Sequence, residues 1–275
     1  MPTILQYEFM VRALIGGALV GALAPMLGTF LVLRRFALIA DTLSHVALMG
    51  VAVGVATHTF PAISALIAAS IGAVVIEQLR SKGRLPGDVA MAVVLYASLA
   101  VAVVVISLTD GFNVGLFDFL FGSIISTTTT DLWLLGALAA AVVLFMAVFF
   151  VELAQSSFDA ELAQVTGVPV RWVNLGLAVL TGATITLSMR VVGMLLVGAL
   201  LVVPVLAGQR LVTGLRASVG VASAFGVLSA VAGLTLAFYV DVSAGGAIVL
   251  TAIALLFAVE AFAALKGRLR PRRSE

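Results

Sequence analysis

Long apolar runs alternate with short polar breaks along almost the whole chain. The runs fall roughly at 9–33, 36–57, 61–79, 88–108, 131–151, 172–189, 191–209, 217–238 and 246–265. At 1.5 Å of rise per residue, each is about the length of a helix that crosses a bilayer core of roughly 30 Å. The runs are continuous rather than alternating, which argues against transmembrane strands. The pattern predicts an all-α, polytopic membrane protein of eight to nine spans, a single domain over 1–275. The run 191–209 carries Gly193, Gly198 and Pro204, and these predict a broken or half-crossing helix there.

Composition strengthens this picture. The chain is 63% hydrophobic and 10% charged, with a mean hydropathy of +1.25. A soluble domain of this length is about half apolar and a quarter charged, and it lacks the interior to hide this much apolar surface. The opening MPTILQYEFMVR has no basic n-region and contains Glu8, so no cleaved signal peptide is expected. There is no cysteine. Any metal ligand must then be an imidazole, carboxylate, carbonyl, hydroxyl or thioether.

The charges orient the spans. With the N-terminus outside, 13 of the 15 basic residues fall on the cytoplasmic side: Arg34, Arg35, Arg80, Lys82, Arg84, Arg171, Arg210, Arg216, Lys266, Arg268, Arg270, Arg272 and Arg273. Only Arg12 and Arg190 fall near the outer face. The positive-inside rule therefore predicts N-terminus out and C-terminus in, with a basic cytoplasmic tail at 266–275. The same rule explains the basic balance without nucleic acid. The outer loop 109–131 is long enough for a short helix or re-entrant segment. LVGAL at 19–23 recurs at 196–200, each followed by a proline and a glycine, a weak sign of internal duplication.

Polar groups inside the apolar runs carry the chemistry. In LVLRRFALIADTLSHVALMG (31–50), Asp41 and His45 are four residues apart, so a helix puts them on nearly one face. Ser44 stands beside them. A charged carboxylate in a span is unfavourable unless it is paired or faces water. Three readings fit: an Asp–His hydrogen bond that ties helices, a proton relay, or a stop for a divalent cation held by imidazole nitrogen and carboxylate oxygen. Glu77 and Glu260 stand near inner ends, within reach of basic loops. Arg190 has Asp131 and Asp241 as candidate partners. His58 at an outer turn reads as solvated, and Met26, Met49, Met189 and Met194 read as packing.

The inner segment 152–171 contains a short amphipathic helix. Ser157 or Asp159 can cap it, Glu161 sits in its first turn, and Gly167 with Pro169 ends it. It either lies at the lipid surface or docks a cytoplasmic partner. No GxxxxGK[ST] loop is present, and neither Lys82 nor Lys266 follows one, so the chain has no P-loop of its own. No nucleophile elbow, HExxH or catalytic carboxylate cluster suggests an enzyme.

Four stretches together resemble the permeases of bacterial ATP-driven (ABC) importers for manganese, zinc or ferrous iron. These form the metal branch of the iron-chelate and cobalamin importer type. They are GTFLVLRRFALIADTLSHVALMGVAVG (28–54), FDAELAQVTGVPVR (158–171), VVGMLLVGALLVVPVLAGQRL (191–211) and DVSAGGAIVL (241–250). Ala244 departs from the proline or small polar residue usual near that last turn. The resemblance implies a type II ABC importer permease in the bacterial inner or plasma membrane, acting as a homodimer with its path on the two-fold axis. It implies two copies of a separate ABC ATPase at the coupling segment 152–171, a role carried over to Phe158, Asp159, Glu161 and Gly167. It implies an extracellular or periplasmic metal-binding protein, no permanently bound cofactor, and Asp41 and His45, with Ser44 beside them, as the metal-contacting residues. Two other readings are kept: a permease for an intact siderophore or cobalamin, and a gradient-driven metal carrier that needs no ATPase.

Overall fold

The polar breaks become turns between helices. The computed structural model describes residues 4–81, 86–109, 122 and 127–269. A 3-10 turn at Ile4–Gln6 leads into α1 (Glu8–Leu33), α2 (Leu38–Ala56), α3 (Pro61–Ser81) and α4 (Gly87–Leu108). Then follow α5 (Thr129–Phe158), the short α6 (Ala160–Val165), α7 (Val170–Val192), α8 (Met194–Leu211), α9 (Leu215–Val240) and α10 (Ala244–Leu269). Among the described residues eight helices are long and apolar enough to cross a membrane, while α8 is a shorter apolar helix. Most of the 109–131 loop and the tail beyond Leu269 lie outside the described residues.

Each break has a local cause. Gly193 separates α7 from α8 at φ +88°, a conformation that L side chains rarely adopt. The glycine foreseen as a breaker therefore ends one helix and starts the next. Between α1 and α2 the chain reverses at Arg35, φ +61°. Arg35 N–H donates to the Val32 carbonyl (3.0 Å) and Phe36 N–H to the Leu31 carbonyl (2.8 Å). This pair of bonds is a Schellman motif, and it makes the turn compact and rigid.

Helix α1 lies at the centre, packed chiefly on α9 and also on α8, α5 and α7. Its buried face includes Val20, Leu23, Leu27 and Phe30. Small residues let these helices approach closely, as suits packing in lipid, where there is no hydrophobic drive between spans. A Cβ on Gly21 would lie 2.5 Å from the Gly226 carbonyl oxygen, and one on Gly28 would lie 1.9 Å from that of Leu201. The repeated LVGAL therefore does two different jobs. Gly21 makes a backbone crossing, whereas a Cβ on Gly198 would only touch Ala40 at 3.8 Å. Replacing Gly28 with alanine should lower stability by about 1–3 kcal/mol, the usual effect of overpacking. Gly136→Ala, with nothing within 4 Å, should be silent. Thermal unfolding of the two variants in detergent checks this.

Many hydroxyl side chains within the spans are satisfied by their own helix. Thr181, Thr184, Thr186 and Ser188 of α7 each donate to a carbonyl four residues earlier, at 2.5–2.8 Å. Lipid offers no partner, so this back-bonding removes a penalty. At one end of the bundle Arg190 Nη1 donates to Asp131 Oδ1 at 2.9 Å, which joins the end of α7 to the start of α5. Of the two candidate partners it takes Asp131; Asp241 instead ends α9 at φ +58°. At the other end Glu77 pairs with Arg80 (2.7 Å) and Glu260 with Arg210 (2.6 Å).

Candidate functional site

Helix α2 is covered on most sides by α3, α4, α8 and α7. Ile39, Leu43, Val46, Ala47 and Val51 are buried against them. The opposite stripe, at spacings of three and four, is Leu38, Asp41, His45, Met49 and Val53. Asp41 is exposed and His45 half-buried. Among the described residues neither has a hydrogen-bond or ion-pair partner, and His45 Nδ1 is buried and unpaired. No Asp–His hydrogen bond ties helices together here. Ser44 lies off this stripe. It is buried, and its hydroxyl donates to the Ala40 carbonyl of its own helix at 2.8 Å. Beyond Met49 and Val53 the stripe borders an open groove of about 650 Å³, also lined by Ile67, Ile71, Val93 and Val101. That groove is almost wholly apolar and has no carboxylate or imidazole in its lining.

The turn before α2 holds a second constellation. Arg34, the C-cap of α1, points its guanidinium at the last turns of α5. Nε donates to Ser157 Oγ (2.9 Å), and Nη2 to Ser156 Oγ (2.7 Å) and the Leu153 carbonyl (3.4 Å). Nη1 donates to Asn174 Oδ1 at the start of α7. Burial, with the nearby Arg80 second and Glu77 opposing, lowers the Arg34 pKa to about 10. It remains charged at neutral pH. Next door Arg80 lies over the Phe36 ring, 5.1 Å from its centroid. Arg35, by contrast, is exposed.

The segment between α5 and α7 is built around α6. Asp159 is its N-cap, with Oδ1 accepting from the Glu161 and Leu162 amides, both at 3.0 Å. Of the two residues able to cap, Asp159 does so, and Ser157 instead binds Arg34. Gly167 at φ +90° closes the helix. Its N–H donates to the Gln164 carbonyl (3.1 Å) and that of Val168 to the Ala163 carbonyl (3.0 Å), a second Schellman motif. Ala163 is buried, whereas Phe158 (73%), Leu162 (60%) and Val165 (84%) stand exposed. These three apolar side chains find no cover among the described residues.

The family model described as the ABC 3 transport family matches residues 6–263. The chain belongs to that family. It is therefore a multi-pass membrane transport permease, as the four sequence stretches led us to expect. It is 33% identical over 259 residues to the manganese transport system membrane protein MntC of Halalkalibacterium halodurans, covering 94% of this chain and 88% of that one. It is 32% identical over 257 residues to the high-affinity zinc uptake system membrane protein ZnuB of Haemophilus influenzae, covering 94% and 98%. Among solved structures it resembles PsaBC from Streptococcus pneumoniae in complex with Fab, with a TM-score of 0.80 and 29% identity over 93% of this permease and 92% of that chain.

The permease thus brings Asp41 and His45 to one accessible face and sets Phe158, Asp159, Glu161 and Gly167 around a separate exposed turn. Sequence reasoning missed Arg34, which it grouped with Arg35 as a marker of the cytoplasmic side. Its polar partners Ser156, Ser157 and Asn174 lie more than 120 positions away, so no local pattern marks it.

Proposed function

We propose that this permease is the membrane subunit of an ATP-driven importer for a divalent first-row metal, with manganese and zinc first and ferrous iron within the same chemistry. The observation that carries this reading is the unpaired Asp41–His45 stripe, which no helix among the described residues covers. A carboxylate facing lipid is unfavourable, so this face meets protein or water. A second copy of the chain supplies both. Among the described residues no three His, Asp or Glu side chains gather in one chain, whereas a two-fold axis beside α2 brings two aspartates and two histidines together. Four mixed nitrogen and oxygen ligands suit a divalent cation. A site shared between two moving subunits can bind and release.

In this reading the dimer stands with the N-terminus outside and the basic C-terminus inside. Two ATPase subunits dock at Phe158, Asp159, Glu161 and Gly167, and an extracellular or periplasmic metal-binding protein delivers the cargo to the opposite face. The relatives described as manganese and zinc transport proteins support the cargo class. Reconstitution tests the energy source. Liposomes holding this chain with its ATPase should take up metal only with ATP, and liposomes with the chain alone should take up none under a pH gradient. Flux from the chain alone would show a gradient-driven carrier instead.

A further inference from the structure

We infer that Arg34 is the positioning residue that links movement of the coupling segment to the helix carrying Asp41 and His45. This rests on the ATPase docking and metal-path readings above. Three observations carry it. First, the guanidinium grips the last turn of α5, through Ser156, Ser157 and the Leu153 carbonyl. Those residues directly precede Phe158 and the N-cap Asp159 of α6. Second, the backbone of Arg34 belongs to the Schellman turn that starts α2, so a displacement of its side chain has little slack to be absorbed in. Third, Phe36 in the same turn packs under Arg80 and close to Gly87, where a Cβ would meet its ring at 3.0 Å. The turn is thereby braced against the α3–α4 corner, and a push on Arg34 rotates α2 rather than dissipating at the surface.

The chemistry fits this task. A guanidinium offers five N–H donors in a rigid plane, so it holds several acceptors in fixed relative positions. Here the acceptors come from α5 and α7, the helices that flank α6 on either side. A lysine would keep the charge but not the fork. Asp41 is seven residues beyond Arg34, in the first turn of the helix that follows the Schellman turn. The clamp and the ligand-bearing face therefore belong to one stiff unit.

The test uses the permease assembled with its ATPase in liposomes, with Met49→Cys as a reporter on the α2 stripe. The native chain has no cysteine, so within the permease band, separated from the ATPase on a gel, a water-soluble thiol reagent reads this position alone. In the unaltered clamp, labelling should differ between the nucleotide-free and ATP-bound states, and ATP should drive manganese uptake. In Arg34→Gln, ATP hydrolysis should stay within about twofold while manganese moved per ATP falls at least tenfold, and labelling should no longer respond to nucleotide. Arg34→Lys should recover only part of the ratio. Should Arg34→Gln fail to assemble, the double variant Ser156→Ala with Ser157→Ala keeps the arginine, removes two acceptors, and should show the same split. An unchanged ratio of uptake to hydrolysis in these variants would overturn the inference, as would a proportional fall of both with labelling still nucleotide-dependent. Failure of the underlying reading looks different: the complex with Arg34 intact would then show no ATP-driven uptake at all.

Discussion

Replacing Asp41 or His45 with alanine is expected to abolish metal uptake while leaving assembly with the ATPase intact. Even an outer-sphere contact to a metal is worth ~10–100-fold in affinity, so loss of a direct ligand should reduce uptake by at least that much. The stability side of the prediction runs the other way. Asp41 is exposed and unpaired among the described residues, so its removal breaks no hydrogen bond and opens no cavity. Asp41→Ala should fold and extract like the unaltered chain. Ser44→Ala is the discriminating neighbour. It removes a hydroxyl already bonded to the Ala40 carbonyl and should leave uptake within about twofold, since back-bonded serines contribute little to a helix. Radiolabelled manganese or zinc uptake in proteoliposomes, normalised to ATPase content, reads all three variants.

The second large effect is expected at the coupling segment. Phe158 is 73% exposed, so Phe158→Ala should barely alter the isolated permease. If that ring anchors the ATPase, its loss removes an aromatic contact of the kind that dominates interfaces, at least ~2 kcal/mol or more than tenfold in affinity. Asp159→Ala and Gly167→Ala act on the same surface indirectly. The first removes a cap worth about 1 kcal/mol. The second forces a side chain into the left-handed region, unfavourable by roughly 1–2 kcal/mol. Both should weaken docking by loosening α6, and less than Phe158→Ala does. Glu161→Ala, at an exposed position of the first turn, should have the smallest effect. Co-purification of ATPase with each variant, followed by titration, gives the order.

Much of this molecule is legible in its sequence because apolar run length is a strong signal in membrane proteins. Eight of the nine runs appear as helices long and apolar enough to cross, and the ninth, broken at Gly193, appears as the shorter α8. Local chemistry at α6 was legible for the same kind of reason: caps and left-handed glycines act within a few residues. What stayed hidden depends on contacts between distant segments. Arg34 and Arg35 look alike in sequence, yet Arg34 bonds Ser157 and Asn174, over 120 positions away, and Arg35 forms the turn. Arg190 had two plausible acidic partners, and only the packing of α7 on α5 chose Asp131. Likewise, four-residue spacing put Asp41 and His45 on one face but did not say which face. That was decided by the burial of Leu43, Ala47 and Val51 on the other side of α2.

Anomalous scattering from crystals of the ATPase-bound dimer soaked with manganese or zinc bears most directly on the proposed path. A single peak is predicted on the two-fold axis, with His45 nitrogen and Asp41 oxygen from both copies at roughly 2.0–2.2 Å for zinc. Two separate peaks far from the axis, or a peak away from both residues, would contradict the shared-site account.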